Sequence, residues 1–183
     1  MTQDTKRVFL AITIPTHLKT KLARYLKSLN KYNLRITRPE NLHITAHFLG
    51  DVRVEHLVNI ATIIKFLCTE ITPFTLNPKG VEQIENRIKT IWVTFKKSTP
   101  YKNLVISLET EFPSNKQKNR DYIAHIMLAR FKKSTSLKNV ELPNFQLADN
   151  VVHVHEIKLF ESILGRDGPA YNLIETFKLK DKK

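Results

Sequence analysis

Two hydrophobic periods alternate along this chain, and their order limits the folds that it can adopt. Residues 7–14 and 34–49 have the apolar, β-rich character of strands, whereas 17–32 repeats leucine at the helical period. Continued to residue 97, the pattern is strand, helix, strand, helix, strand, strand. Residues 101–112 predict a third helix, and 122–131 predict a further strand. This order predicts an α+β fold with largely antiparallel sheets.

The end of the chain predicts a hairpin. Residues 151–162 alternate apolar and polar side chains, and residues 171–179 form a second such run. Gly165, Gly168 and Pro169 lie between the two runs and are typical of a turn. We therefore expect the last two strands to pair with each other.

Length and composition indicate one domain. The chain has 183 residues, 42% of them hydrophobic, with four glycines and eight prolines, so it is long enough to bury a core. We expect a single domain over residues 1–183, with flexible tails at 1–6 and 180–183. The start MTQDTKR lacks the apolar stretch of a signal peptide, and no run of 18 apolar residues occurs. These features favour a cytoplasmic protein without a membrane partner, which we take to be a monomer.

The charge of the chain indicates a class of partner. Lys and Arg number 30 against 17 Asp and Glu, a net charge of +13, which favours RNA or another anionic surface. A generally basic surface that keeps the protein soluble explains the charge equally well. The residues that could form a basic mouth for RNA, or else a solvated surface, are Arg35, Arg38, Lys116, Lys118 and Arg120. The single cysteine, Cys68, lies in an apolar run and is expected in the core.

Two histidine segments carry the candidate chemistry. In a strand, His43 and Thr45 of NLHITAHFLGDV point to one side, as do His125 and Met127 of YIAHIMLARF. Two such strands side by side would put both imidazoles in one groove. One imidazole can then accept a proton from an attacking oxygen while the other protonates a leaving oxygen, as cleavage of a phosphodiester requires. The hydroxyl of Thr45 can donate to a phosphate oxygen.

Other interpretations of the histidines remain open at this point. A lone histidine in a strand is more often a structural residue than a catalyst. Zinc is a second alternative, with His43 and His47, or His153 and His155, as ligands. No cysteine cluster or HExxH helix supports such a site, so we expect neither a metal nor another cofactor.

Four segments, in order, resemble one known family. They are RVFLAITIP, PENLHITAHFLGDV, IWV around Trp92, and VHEIKLFESILGRDGPAY. Together with His125-Ile126-Met127-Leu128, they resemble the two-histidine phosphoesterases, specifically the RNA 2′,3′-cyclic phosphodiesterases, also called 2′-5′ RNA ligases. The family pattern is His-x-Thr/Ser-x, twice. The resemblance covers residues 7–179.

The resemblance implies a fold and an activity. It implies a bilobed α+β fold with two mainly antiparallel sheets related by pseudo-two-fold symmetry, and helices on the outside. It implies an enzyme, a cyclic phosphodiesterase, that hydrolyses RNA 2′,3′-cyclic phosphate ends to 2′-phosphate without a metal. By analogy, His125 is the general base and His43 the general acid, and the same groups could join RNA ends reversibly through a 2′-5′ bond.

The chain departs from the family pattern at two positions. Met127 replaces the second Thr/Ser, and a thioether cannot donate a hydrogen bond to phosphate. Met127 could instead form an apolar wall against a base, with Arg130 or a backbone N–H as the replacement donor. Ala124 stands where family members often have proline. Because of Met127, a nucleotide- or RNA-binding module with weak or lost catalysis is an alternative function, as is an enzyme for another cyclic phosphate.

Three further residues are candidates for substrate contact. The resemblance implicates an aromatic and an arginine near the positions of Phe48 and Arg130 in holding the terminal nucleotide. Strict alternation, however, points both side chains to the core face, so only a β-bulge would return them to the histidine face. His47 shares the parity of His43 and either lines the cleft or is a polar filler. Tyr171 is interpreted as packing within the final hairpin.

Overall fold

Three helices form in the described part of the chain. The structure, a computed structural model, describes residues 4–85, 88–113, 122–133, 135–147, 149–166 and 168–180. The helices are α1 (Thr16–Leu29), α2 (Leu57–Glu70) and α3 (Thr99–Glu111). The leucines of α1 at the helical period are buried, and at α3 the Ser98 hydroxyl accepts a hydrogen bond from the Tyr101 N–H and caps the helix. The third predicted helix is therefore confirmed.

Ten strands complete the fold. They are β1 (Thr5–Thr13), β2 (Leu34–Ile36), β3 (His43–Arg53), β4 (Phe74–Leu76), β5 (Pro78–Ile84), β6 (Thr90–Phe95), β7 (His125–Phe131), β8 (Val152–Val154), β9 (Glu156–Gly165) and β10 (Gly168–Lys178). Two segments that predict one strand each, at 74–84 and at 151–162, are divided into β4 and β5 and into β8 and β9. The reason is tertiary, because β4 and β8 pair with each other in a separate two-stranded sheet.

The other strands form one antiparallel sheet. Its order is β10-β9-β1-β3-β7-β6-β5, with β2 also paired to β7. Strands β3 and β7 join the two halves through a single residue pair, Ile44 with Ile126. The predicted α+β class with antiparallel sheets is confirmed, as is the β9–β10 hairpin. Gly168 in its turn has φ 111°, a conformation that favours glycine.

The predicted tails are too long at both ends. Thr5 and Lys6 belong to β1, where they pair with Arg53 and Val52. The Lys180 N–H donates to the Ile71 carbonyl over 2.9 Å, so backbone pairing extends past both predicted limits. Residues 1–3 and 181–183 lie outside the described residues, as do Lys116, Lys118 and Arg120 of the predicted basic mouth.

All three helices share one core with one face of the large sheet. Leu18 of α1, Ile64 of α2 and Leu104 of α3 are fully buried in the same cluster as Ile44 and Ile126. Cys68 is also buried there, as predicted, and burial raises the pKa of its thiol to about 12. Among the described residues, no helix has both the length and the apolar character needed to cross a bilayer. The other face of the sheet is thus left for the histidines.

Candidate active site

The two histidine segments lie on adjoining strands. Ile44 and Ile126 pair across the β3–β7 junction, and both are fully buried on the helix side. Because neighbouring residues of a strand point to opposite faces, His43 and Thr45 share the other face with His125 and Met127. These four side chains are half-buried. Thus the tertiary structure brings together the two segments that the sequence separates by about eighty positions.

Both imidazoles are held in the same way. Nδ1 of His43 lies 2.6 Å from the Asn41 carbonyl oxygen, and Nδ1 of His125 lies 3.0 Å from the Ile123 carbonyl oxygen. A carbonyl can only accept, so each Nδ1 carries the proton and donates it, which leaves Nε2 as the proton acceptor of the neutral ring. In each case the carbonyl belongs to the residue two positions before the histidine. The two halves of the site are therefore related by the expected pseudo-two-fold symmetry.

Thr45 lies beside the reactive nitrogen of His43. Its Oγ1 is 3.0 Å from Nε2 of His43. With Nδ1 protonated, the neutral Nε2 accepts from the threonine hydroxyl, whereas the imidazolium donates to it. The second segment has Met127 at the matching position, and no equivalent hydroxyl exists there.

The environment of His43 favours its neutral form. Burial is the largest cause that lowers its pKa below the usual 6.5, and the positive charges of His125 and Lys19 lower it further. The hydrogen bond to the Asn41 carbonyl acts in the opposite direction and raises the pKa. The effect of the His125 charge on the pKa of His43 agrees with the position of both rings on one face of adjoining strands. Lys19 of α1, whose Nζ donates to the Glu40 carbonyl, is a basic residue near the site that the sequence pattern did not single out.

A β-bulge occurs at the same point of each histidine strand. Leu10 pairs with His47 and Ala11 with Thr45, so Ala46 is the extra residue of β3. Leu128 is likewise the extra residue of β7, opposite Ile91 and Trp92 of β6. The seven residues from each histidine onward consequently have the same order of buried and exposed positions. A bulge shifts the alternation by one residue.

The two bulges direct Phe48 and Arg130 out of the core. Both side chains are exposed, Phe48 by 52%, and the Phe48 ring lies 5.9 Å from that of Phe9, which also borders His43. The β-bulge that Phe48 and Arg130 need in order to reach the histidine face is therefore present in each strand. The same shift buries His47 to 5% exposure, next to Phe112 at the end of α3. The prediction that His47 contacts the substrate is wrong, because the bulge removes it from the parity of His43.

A cluster of aromatic rings from β1, β9 and β10 packs beside His43. The Phe9 ring of β1 lies 5.1 Å from the His43 ring and 5.6 Å from Phe160. Tyr171 of β10 meets His43 edge-on at 5.3 Å and Phe9 at 4.8 Å. Such edge contacts fix the plane of a ring. The sequence predicts only hairpin packing for Tyr171, but the structure also brings its ring against the candidate catalytic histidine.

Asn41 connects this hairpin to His43. Its backbone carbonyl accepts from His43 Nδ1, while its buried side chain donates from Nδ2 to the Pro169 carbonyl over 2.7 Å. Pro169 lies two residues before Tyr171 on β10. One asparagine therefore links the orientation of His43 to the strand that carries Tyr171.

On the other half of the site, Trp92 plays the corresponding role. Its indole ring stacks on the His125 imidazole at 3.7 Å and 17°. The segments that contain Phe9, Asn41, Trp92 and Tyr171 all contribute to the family resemblance. That resemblance was the signal by which these supporting residues could have been found, but alternation alone could not assign their contacts.

Met127, which stands where the first segment has Thr45, contacts Arg130. Arg130 Nε donates to the Met127 sulfur over 3.2 Å, and the charge of Arg130 reaches Tyr171, whose pKa burial raises and Arg130 lowers. The guanidinium thus contacts the second histidine segment and acts electrostatically on Tyr171 of the hairpin. It brings a permanent positive charge to the neighbourhood of the second histidine segment.

Another pair of histidines lies at the small sheet, with His153 in β8 and His155 directly after that strand. His153 and His155 are exposed, and their rings are 6.4 Å apart. Within the residues that the structure describes, no group of three or more His, Cys, Asp or Glu side chains is arranged to hold a metal ion.

Comparison with known proteins shows which family the chain resembles. The LigT-like phosphoesterase model matches residues 12–92. An RNA 2′,3′-cyclic phosphodiesterase of Methanocaldococcus jannaschii is 28% identical over 179 residues, covering 92% of this chain and 98% of that protein. The enzyme of the same name from Methanothermobacter thermautotrophicus is 27% identical over 183 residues, with 94% and 98% covered.

The same relationship appears in the fold. The crystal structure of E. coli LigT in its apo form superposes with a TM-score of 0.79 at 22% identity, over 97% of this chain and 99% of that one. Together with the matched segment and the relatives that span almost the full chain, this shared fold shows that the chain is similar to the LigT-like phosphoesterases, in sequence over residues 12–92 and in fold over nearly its whole length.

Proposed function

We propose that this protein is an RNA 2′,3′-cyclic phosphodiesterase that hydrolyses cyclic phosphate ends to 2′-phosphate. The observation that carries the proposal is the pair of imidazoles, His43 and His125, on one face of adjoining strands with both Nδ1 atoms bonded to carbonyls. Two such groups supply both proton transfers of phosphodiester hydrolysis, so no metal is needed for them. The names of the archaeal relatives support the RNA substrate.

In the proposed reaction, His125 acts as general base and His43 as general acid. Neutral His125 takes a proton from a water molecule through Nε2, and the water oxygen forms a bond to phosphorus. The bond from phosphorus to the ribose 3′ oxygen breaks, and protonated His43 gives its proton to that oxygen. The product has a 2′-phosphate and a free 3′-hydroxyl, and exchange with solvent restores both histidines.

The lowered pKa of His43 makes its role as acid dependent on the substrate. In the free protein, burial and the neighbouring positive charges favour the neutral ring. A bound phosphodiester brings a negative charge next to the imidazole, and an adjacent opposite charge raises a histidine pKa. Substrate binding would therefore protonate the acid at the moment when the reaction needs it.

The surrounding residues would hold the nucleotide. Thr45 donates to a phosphate oxygen once His43 is protonated, and the exposed ring of Phe48 offers a surface on which a base can stack. Arg130, held at Met127, supplies a charged donor to the reacting phosphate in place of the missing hydroxyl. Met127 thus acts as an apolar wall that orients an arginine. The net charge of +13 attracts the polyanionic partner.

The same two groups can catalyse the reverse reaction. By microscopic reversibility, the histidines that cleave a bond to phosphorus also serve its formation, so a 5′-hydroxyl in place of water would yield a 2′-5′ bond. We include this reversible 2′-5′ RNA joining as a second activity of the same site.

The decisive experiment measures turnover of a mononucleotide or oligonucleotide 2′,3′-cyclic phosphate in EDTA, with the position of the product phosphate assigned. We expect metal-independent formation of 2′-phosphate, abolished in the His43→Ala and His125→Ala variants. Turnover that requires a metal, a 3′-phosphate product, or activity equal to that of the double variant would reject the proposal.

A second candidate function is nucleotide or RNA binding with little catalysis, and Met127 is the observation that favours it. The thioether cannot donate to phosphate, and its partner is already Arg130. Under this alternative, Met127→Thr would raise kcat by about 10²–10³, the effect of one such donor, with little change in affinity. A wild type that already turns over rapidly would exclude it.

A further inference from the structure

Two arginines lie directly opposite each other beside the candidate site. The register of the β2–β7 pair sets Arg35 against Arg130. Directly opposite residues of antiparallel strands point to the same face. Leu34, the neighbour of Arg35, is buried, while Arg35 and Arg130 are exposed. Arg35 therefore lies on the histidine face, one strand away from Arg130.

Within the described part of the chain, no carboxylate balances this pair of charges. Like charges directly opposite on neighbouring strands are destabilising. Among the described residues, neither arginine forms an ion pair with a carboxylate, and Arg130 donates to the neutral sulfur of Met127. Two neighbouring guanidinium groups on an exposed strand pair present the fork of donors that suits a phosphate group.

The two arginines differ in what they can reach. Arg130 turns toward Met127, and so toward the reacting phosphate between the histidines. Arg35 is displaced from it by one strand spacing, about 4.8 Å, on the side away from β6. A cyclic phosphate lies at the 3′ end of its RNA, so any further phosphate of the substrate lies on the 5′ side. The position of Arg35 fits that next phosphate.

We propose that Arg35 binds the phosphodiester one nucleotide 5′ of the reacting cyclic phosphate, so that RNA ends of two or more nucleotides are preferred over a mononucleotide. The inference rests on the proposed function and specifies its substrate. Arg35 is a binding residue that the reaction itself does not involve. Its contribution should appear only when the second phosphate is present and charged.

Three substrates test this assignment: a nucleoside 2′,3′-cyclic phosphate, a dinucleotide that ends in the same group, and that dinucleotide with an uncharged methylphosphonate linkage. In the wild type we expect kcat/KM to be highest for the charged dinucleotide. Arg35→Gln should lower that value about tenfold, the effect of one charged phosphate contact, and leave the other two substrates unchanged.

A matched control and a salt series complete the experiment. Arg24→Gln removes the same side chain from an exposed position of α1 and should change none of the three values. For the charged dinucleotide, Arg35→Gln should reduce the slope of log(kcat/KM) against log salt by about one unit. Unchanged activity on the mononucleotide shows that the variant is folded.

The possible outcomes distinguish failure of the proposed function from failure of the Arg35 assignment. If the wild type hydrolyses no cyclic phosphate, the proposed function fails. If it hydrolyses the mononucleotide and both dinucleotides equally well, or if Arg35→Gln lowers all three alike, the enzyme stands and the Arg35 subsite is overturned.

Discussion

The contact between Arg130 and Met127 gives the sharpest prediction about this site. If the guanidinium replaces the missing hydroxyl, Arg130→Gln should lower kcat much more in the wild type than in a Met127→Thr background. In that background, threonine at 127 occupies the position that Thr45 has in the other half, and it supplies the donor itself. Met127→Thr alone should then raise kcat less than tenfold.

The magnitude follows from the chemistry of one donor. Removal of a single hydrogen-bond donor from developing negative charge costs about 10²–10³ in rate, or about 2.7–4 kcal/mol. We expect that loss for Arg130→Gln in the wild type and about tenfold in the Met127→Thr variant. The difference is a coupling energy of about 1–3 kcal/mol, within the range measured for residues in contact. The Nε–sulfur distance of 3.2 Å supports direct coupling.

The assay is steady-state hydrolysis of a nucleoside 2′,3′-cyclic phosphate by the four proteins of the cycle. Met127→Leu is the matched control, since it keeps an apolar side chain but removes the sulfur acceptor. Loss of one weak hydrogen bond should lower kcat less than tenfold. Fold changes that simply multiply in the double variant would refute the coupling, and a gain of 10² or more for Met127→Thr alone would show that Arg130 does not compensate.

Four further predictions concern His43 and the residues around it. Because burial lowers the pKa of His43, the folded protein binds fewer protons there than the unfolded chain; this contribution to the free energy of unfolding is present above about pH 6.5 and is lost as pH falls below it. In urea unfolding, the free energy of unfolding of the wild type minus that of His43→Asn should therefore be lower at pH 5.5 than at pH 8. A difference that does not change with pH would contradict the lowered pKa. For the same reason, if His43 is the acid, the alkaline limb of kcat/KM should begin below pH 6.5 in the wild type, and a limb well above 7 would assign another group. Tyr171→Leu should reduce kcat about three- to tenfold by removing the edge contact with His43, whereas Tyr171→Phe should stay within about twofold; equal effects of both would place the role in the hydroxyl. Asn41→Ala removes the buried hydrogen bond to the Pro169 carbonyl and should destabilise the fold by about 1–3 kcal/mol, while a neutral result in thermal unfolding would exclude Asn41 as the link to the hairpin.

Much of the site could be predicted because its information is local. The alternation that puts His43 and Thr45 on one face, opposite Ile44, depends only on the geometry of a strand. The helical period identified α1 and α2 in the same way, and it identified α3. The family resemblance then joined the two segments, since their order along the whole chain is more specific than either tripeptide.

His47 shows where local reasoning failed. Its parity with His43 predicts a position in the cleft, yet it is buried beside Phe112. A bulge inserts one residue, and the choice between a regular ladder and a bulge depends on how the partner strand packs. No residue of β3 requires a bulge at Ala46. A prediction from regular alternation therefore places His47 on the wrong face of the sheet.

The strand periods and the paired histidine segments are therefore properties of the chain itself, since a side chain's direction relative to its neighbours is set by backbone geometry. What required the tertiary structure is every contact that joins distant segments. These include the meeting of β3 and β7 at one isoleucine pair, the two matched bulges that expose Phe48 and Arg130, and the hydrogen bond from Asn41 to Pro169. Such contacts arise from the burial of a shared core rather than from any local pattern, and they convert two histidine strands into one site.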